Sequence, residues 1–204
     1  GRMIRALLLA ALLTGCATQP MRTPHPNSGV KVMVGNGHGS GVYIGKGIVL
    51  TSAHVVQDKA EVTLKSASGG WQQGTVLWKS DKYDVAAIQP FNPKVYDIAP
   101  LSCRVPLAGE YAVAYGSPLI NEFLYLPGTV AGKPTRMGDI ETVSPAAIPL
   151  TSGSSGGPVF NAQGHLIGIV AAVQVTTLFE KYPSQTGISY FVPGNVICGL
   201  LGRV

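Results

Sequence analysis

Short apolar runs rich in β-branched residues recur along this chain, and Gly, Pro and Asn break them apart. In the first half they fall at Val30–Val34, Gly41–Ile44, Gly47–Thr51, Val62–Leu64, Thr75–Trp78 and Asp84–Ile88. In the second half they fall at Tyr111–Tyr115, Glu122–Leu126, Gly128–Ala131, Ile140–Val143, Pro158–Asn161, His165–Val173 and Gly187–Val192. Runs of this length between turn residues predict strands. A Pro-rich break, Pro90–Pro106, separates the halves. The pattern therefore predicts an all-β fold of two antiparallel barrels in series, at about 29–98 and 105–193. Only Asn195–Leu201 reads as a short helix, with Asn195 as its cap and Gly202 at its end. The sequence shows no clear internal repeat.

Composition supports this reading and narrows the function. The 204 residues include 26 Gly and 15 Pro, as a turn-rich all-β chain requires. At this length the core needs no disulfide staples. The formal charge of +5 is scattered, without a basic run or interleaved stacking aromatics, which argues against nucleic acid as a partner. No His/Cys cluster has metal-ligand spacing, and no cofactor motif is present.

The N-terminus has a different character. Met3-Ile4-Arg5 precedes the apolar run Ala6–Leu13, which is too short for a permanent membrane span and reads as a secretory signal over 1–15. Leu13-Thr14-Gly15-Cys16 resembles the bacterial lipobox, which implies a lipidated Cys16 at the mature N-terminus. An ordinary signal followed by an incidental Cys is the alternative. Ala17 in place of Asp resembles lipoproteins sent to the outer membrane of two-membrane bacteria. The expected location is thus the cell envelope, lipid-anchored, or the extracellular side. Residues 16–28 are polar and Pro-rich and read as a flexible tether, with His25 solvated. The folded unit is expected over 29–204. Cys103 and Cys198 remain as a candidate disulfide; two separate buried thiols are the alternative.

The chemistry centres on Gly153-Ser154-Ser155-Gly156-Gly157-Pro158, which sets one hydroxyl among residues too small to cover it. A serine that attacks a carbonyl needs this open approach and backbone donors for the developing anion. His54, in Leu50-Thr51-Ser52-Ala53-His54-Val55-Val56, sits where a strand ends in small residues and is the candidate base. Asp84 opens an apolar strand, where a partly buried carboxylate needs a donor such as an imidazole N–H. Asp81, beside Lys82, is the more exposed competitor. His38 lies in a Gly loop and His165 in a turn. The run also satisfies G-x-S-x-G, the nucleophile elbow of α/β-hydrolases. That arrangement needs an acid and then a His after the Ser; only His165 and then Glu180 follow, in the wrong order.

With His54, Asp84 and Ser155 in this order, the chain resembles the trypsin-like serine endopeptidases, and most closely their HtrA/Deg branch. Gly39-Ser40-Gly41-Val42-Tyr43-Ile44 and Ile48–Val56 are similar to that branch's GSGV…IVTNAHVV. Asp84–Ile88 is similar to DIALL, Ala114–Pro118 to AIGNP, Gly153–Pro158 to GNSGGP and Gly187–Pro193 to GIGFAIP. The resemblance covers about 28–196. It implies two Greek-key barrels and polypeptide substrates cleaved through an acyl-enzyme. Ser155 is then the nucleophile, His54 the general base and acid, and Asp84 the orienting carboxylate. The N–H groups of Gly153 and Ser155 form the oxyanion hole. By the same analogy Leu150 lies at the floor of the specificity pocket, and Ala171, Ala172 and Val173 form the edge that pairs with extended substrate. Ser154 replaces the Asp that trypsin-like zymogens pair with a new N-terminus, so no activating cut is expected. The chain stops soon after Pro193, without room for the PDZ domain that this branch usually carries, and the oligomeric state is left open. A catalytically inactive or latent binding module, anchored at the membrane, is the alternative function.

Overall fold

The structure, a computed structural model, describes residues 25–178 and 182–203. Six strands form the first unit: β1 (Gly29–Val34), β2 (Gly37–Tyr43), β3 (Val49–Thr51), β4 (Glu61–Ser66), β5 (Trp71–Ser80) and β6 (Val85–Pro90). A one-turn helix, α1 (Ala53–Val56), follows β3. The strands close into an antiparallel barrel in the order β1-β2-β3-β6-β5-β4. The second unit holds β7 (Tyr111–Gly116), β8 (Leu124–Val130), β9 (Thr135–Met137), β10 (Ile140–Ala147), β11 (Pro158–Phe160), β12 (Leu166–Leu178) and β13 (Tyr182–Pro193). Its order is β13-β12-β11-β7-β8-β10-β9, and pairing of β13 with β10 closes six of these strands into a second ring. With β9 set aside, the two rings share one strand order: first, second, third, sixth, fifth, fourth. The helix α2 (Gly194–Leu200) ends the fold.

Burial explains why several strands read as unbroken apolar runs. One apolar cluster fills each barrel, and a third lies between them. In β6, Ala86 and Ile88 point into the first barrel while Val85 and Ala87 join the cluster between the barrels. In β7, Ala112 and Ala114 face the second barrel's interior while Val113 and Tyr115 face outward into the shared layer. Successive residues of a strand face opposite sides, so a strand buried on both faces loses its polar alternation.

Several strands run longer than expected, among them β5, β10, β12 and β13, and five further departures bear on the packing. Gly37–Ser40, read as a loop, belongs to β2; a Cβ at Gly39 would meet Val55 Cγ2 at 2.6 Å, so glycine lets α1 pack onto this strand. The runs flanking Pro127 form one strand, because β10 reaches β8 only at Thr129 and Val130 and leaves an open edge at the proline. The three-residue β9 was not anticipated. The C-terminal helix starts one residue earlier than expected, after Pro193, and the Asn195 side chain does not cap it. The packed chain reaches back past Gly29: Pro26–Ser28 form a 3-10 turn with Ser28 fully buried, and the Tyr115 hydroxyl donates to the Pro26 carbonyl at 2.9 Å. His25 is half-buried there, its ring 6.2 Å from that of Phe160. Residues 1–24, with Cys16 among them, lie outside the described residues.

The connection between the barrels is fastened to the second one. Leu166 N–H donates to Pro100 O, and Ser102 N–H donates to Leu166 O, each at 2.9 Å. Cys103 on this connection is joined by a disulfide to Cys198 in α2, with Cα atoms 5.6 Å apart.

Candidate active site

Each barrel contributes one side of the site. In α1, Ala53, Val55 and Val56 are buried, which leaves His54 as the residue that faces out. Asp84 sits just before β6 with φ 53°, a left-handed conformation that Asp enters more easily than most residues. It is 4% exposed, and its carboxylate is committed to His54 twice over. Oδ1 accepts the His54 backbone N–H at 3.0 Å, and the imidazole Nδ1 lies 3.0 Å from Oδ1 and 2.9 Å from Oδ2. An ionised carboxylate only accepts, so Nδ1 carries the proton and Nε2 keeps its lone pair. The imidazole side chain is half exposed.

The second barrel supplies Ser155 on a tight turn. Ser154 N–H donates to Thr151 O and Gly157 N–H to Ser154 O, each at 3.0 Å. Gly156 N–H donates to Val170 O at 2.7 Å, and Ser155 O accepts from Ser40 N–H at 2.7 Å. Gly156 has φ 82°, and a Cβ there would run into Thr51 Oγ1 and the Ser40 carbonyl, so only glycine seats the turn against β2 and β3. Ser155 and His54 line one cavity of about 190 Å³ with Val34, Gly37, His38, Val55, Gln57, Ser152 and Gly153.

Two backbone donors are left for a ligand. Among the described residues, neither Gly153 N–H nor Ser155 N–H meets a protein acceptor, whereas the intervening Ser154 N–H does. The Ser152–Gly153 peptide is oriented by its carbonyl, since Ser152 O accepts from Leu119 N–H at 2.8 Å. In a trans peptide the N–H points opposite to the C=O, so Gly153 N–H is turned away from Leu119. Gly153 itself has φ 90°. Its own carbonyl accepts from the buried Ser40 hydroxyl at 2.7 Å, and that hydroxyl accepts from Ser117 N–H at 2.9 Å. Together these groups place an imidazole and two backbone N–H groups without a protein acceptor among the described residues beside the turn that carries the Ser155 hydroxyl.

Other expected site residues fall elsewhere. Leu150 is 3% exposed, packs inside the second barrel and is not among the residues lining this cavity. The Ala171 side chain is likewise buried, in the layer between the barrels. Their backbone fits the expected role better. Strand β11 pairs with β12 only as far as Ile169, so beyond Val170 the Ala171–Val173 segment has β13 on one side and no strand on the other among the described residues. The Val173 side chain lies outside the described residues. Of the cavity residues that the sequence did not single out, His38 is the titratable one. His38 stands on β2 with Nε2 2.8 Å from Ser117 O, where it donates across the barrel interface. Ser154 is buried with its hydroxyl unpartnered among the described residues.

Comparison with known proteins shows the family. A sequence model described as a trypsin-like peptidase domain matches residues 39–169. The mitochondrial serine protease HTRA2 of Bos taurus is 29% identical over 187 residues, covering 88% of this chain and 38% of that protein. The periplasmic serine endoprotease DegP of Salmonella typhimurium is 28% identical over 172 residues, covering 81% of this chain and 35% of that protein. The chain thus spans under two fifths of the length of these curated relatives. Among solved structures, the serine endoprotease of Yersinia pestis superposes with TM-score 0.73 at 22% identity, over 88% of this chain and 63% of that one.

Proposed function

Because the chain belongs to the trypsin-like peptidase family, we propose that it is a serine endopeptidase of the HtrA type, acting on polypeptides at the cell envelope. The observation that carries this reading is the Asp84–His54 pair lining one cavity with Ser155, with the Gly153 and Ser155 N–H groups beside it unpartnered among the described residues. Ser155 Oγ attacks the scissile carbonyl and its proton passes to His54 Nε2. Asp84 keeps the proton on Nδ1 and stabilises the imidazolium that forms. The carbonyl oxygen becomes an anion and accepts from Gly153 N–H and Ser155 N–H. Collapse breaks the C–N bond, and the leaving amine takes the proton from His54. Water, deprotonated by the same imidazole, then attacks the acyl-enzyme and restores Ser155. Extended substrate gains main-chain hydrogen bonds along the unpaired edge of Ala171–Val173.

Labelling by a fluorophosphonate probe tests the chemistry. The native chain is expected to label, while Ser155→Ala and His54→Ala do not. A native chain that stays unlabelled under every condition overturns the peptidase reading in favour of a binding module. The envelope placement rests on the export-like segment of residues 3–13 and the Cys16 that follows it. Cys16→Ala is expected to leave the membrane fraction; a variant that still sediments with membranes contradicts lipid anchoring at that residue.

A further inference from the structure

One row of side chains on the outside of the first barrel grips the loop that orients the Gly153 peptide. Ser40, Lys31 and Lys65 stand opposite one another on β2, β1 and β4, so their side chains share one face. Ser40 Oγ holds the start of the 117–123 loop through Ser117 N–H, and it holds Gly153 O as well. Lys31 Nζ and Lys65 Nζ reach the far end of that loop, 2.8 Å from Glu122 Oε1 and 2.6 Å from Glu122 Oε2. Between these anchors lies Leu119, whose N–H fixes the Ser152 carbonyl.

Other contacts hold mainly the two ends of the loop: the His38 ring donates to Ser117 O at 2.8 Å, and Phe123 packs beside Tyr115. Asn121 N–H donates to Pro118 O at 2.9 Å, and Phe123 N–H makes a long 3.4 Å bond to Ser117 Oγ. Leu119 and Phe123 both hold positive φ, at 53° and 55°, a conformation that side chains of this size leave when released. Leu119 and Ile120 are exposed, so packing does not hold the tip. The Lys31 and Lys65 side chains are 12% and 20% exposed and that of Glu122 is 32% exposed, so the two pairs are shielded better than ordinary surface pairs. The Lys31 ammonium first, and Lys65 after it, holds the Glu122 carboxyl below the usual carboxylate range.

We propose that Glu122 is a positioning residue for acyl transfer: paired with Lys31 and Lys65, it holds the loop so that Leu119 keeps the Gly153 N–H aimed at the oxyanion. The proposal rests on the reading of the site as a serine endopeptidase. Glu122 touches no reacting atom, so its loss acts on the transition state and spares substrate binding.

The test compares native chain and Glu122→Gln on a peptide substrate. The variant is expected to lose about tenfold in kcat, less than deletion of an oxyanion donor, with KM and thermal midpoint near native. Glu122 is the more exposed partner, so added salt weakens the pairs only in part, and native kcat falls modestly with ionic strength while that of Glu122→Gln does not. The mirror-image chain with Lys31→Glu, Lys65→Glu and Glu122→Lys rebuilds the clamp with opposite charges and is expected to regain kcat. It decides the matter even if Glu122→Gln misfolds. Unchanged kcat in Glu122→Gln, a rise confined to KM, or no recovery on charge reversal overturns the proposal. If the native chain turns over and Glu122→Gln matches it, the role of Glu122 alone fails. If the native chain neither labels nor turns over, both readings fall.

Discussion

Asp84 illustrates how one residue serves backbone and chemistry together. Its left-handed φ of 53° suits Asp or Asn, and its carboxylate meets both the main chain and the ring of His54. Asp84→Asn therefore keeps the fold but offers an amide that donates to Nδ1, which moves the imidazole proton to Nε2 and removes the base. The expected outcome is a drop in kcat of about 10⁴-fold with an unchanged thermal midpoint, read by steady-state kinetics and calorimetry. The residues proposed for this chemistry stand out in the sequence because each carries a local signature: small residues around Ser155, an apolar strand after Asp84, a strand end before His54. His38 and Glu122 lacked one. Their partners Ser117 and Lys31 lie 79 and 91 positions away, and such contacts appear only once the barrels are docked. Leu150 poses the opposite difficulty, since an apolar residue near the nucleophile reads alike as pocket or core.

At the scale of elements, apolar runs located nearly every strand, and boundaries moved where a neighbour changed the rules. Gly37–Ser40 carries turn residues, yet pairing with β1 on one side and the Ser155 carbonyl on the other makes it a strand. Pro127 would break a strand enclosed on both sides but is harmless on the open edge of β8. The helix α1 is one turn long, too short for any periodicity, and its existence follows from burying Ala53, Val55 and Val56 while presenting His54. The row Ser40–Lys31–Lys65 shows the same lesson for sheets. Cross-strand register, which no single strand encodes, puts a hydroxyl and two ammonium groups on one face.

The whole molecule repeats one strand order twice, although the sequence carries no visible repeat. Each barrel has its own apolar interior, and a third apolar layer joins them, so the site at their junction is held by burial rather than by a linker. The Cys103–Cys198 disulfide adds to this by closing a loop of 95 residues. In the chain-entropy account such a loop is worth roughly 4–5 kcal/mol, and measured values are often smaller. The double variant Cys103→Ser/Cys198→Ser is expected to melt at lower temperature than the native chain and to be indifferent to reductant. Equal midpoints with and without reductant in the native chain would show that the bond does not stabilise it.

The same bond also sets the path that tension takes. Every strand from β7 to β13 lies between Cys103 and Cys198. A pull applied at the two chain ends crosses the first barrel, passes through the sulfur–sulfur link and leaves by the last few residues. The second barrel, with Ser155 on it, is a closed covalent ring hung beside that line, so its backbone bears no covalent tension while the link is intact.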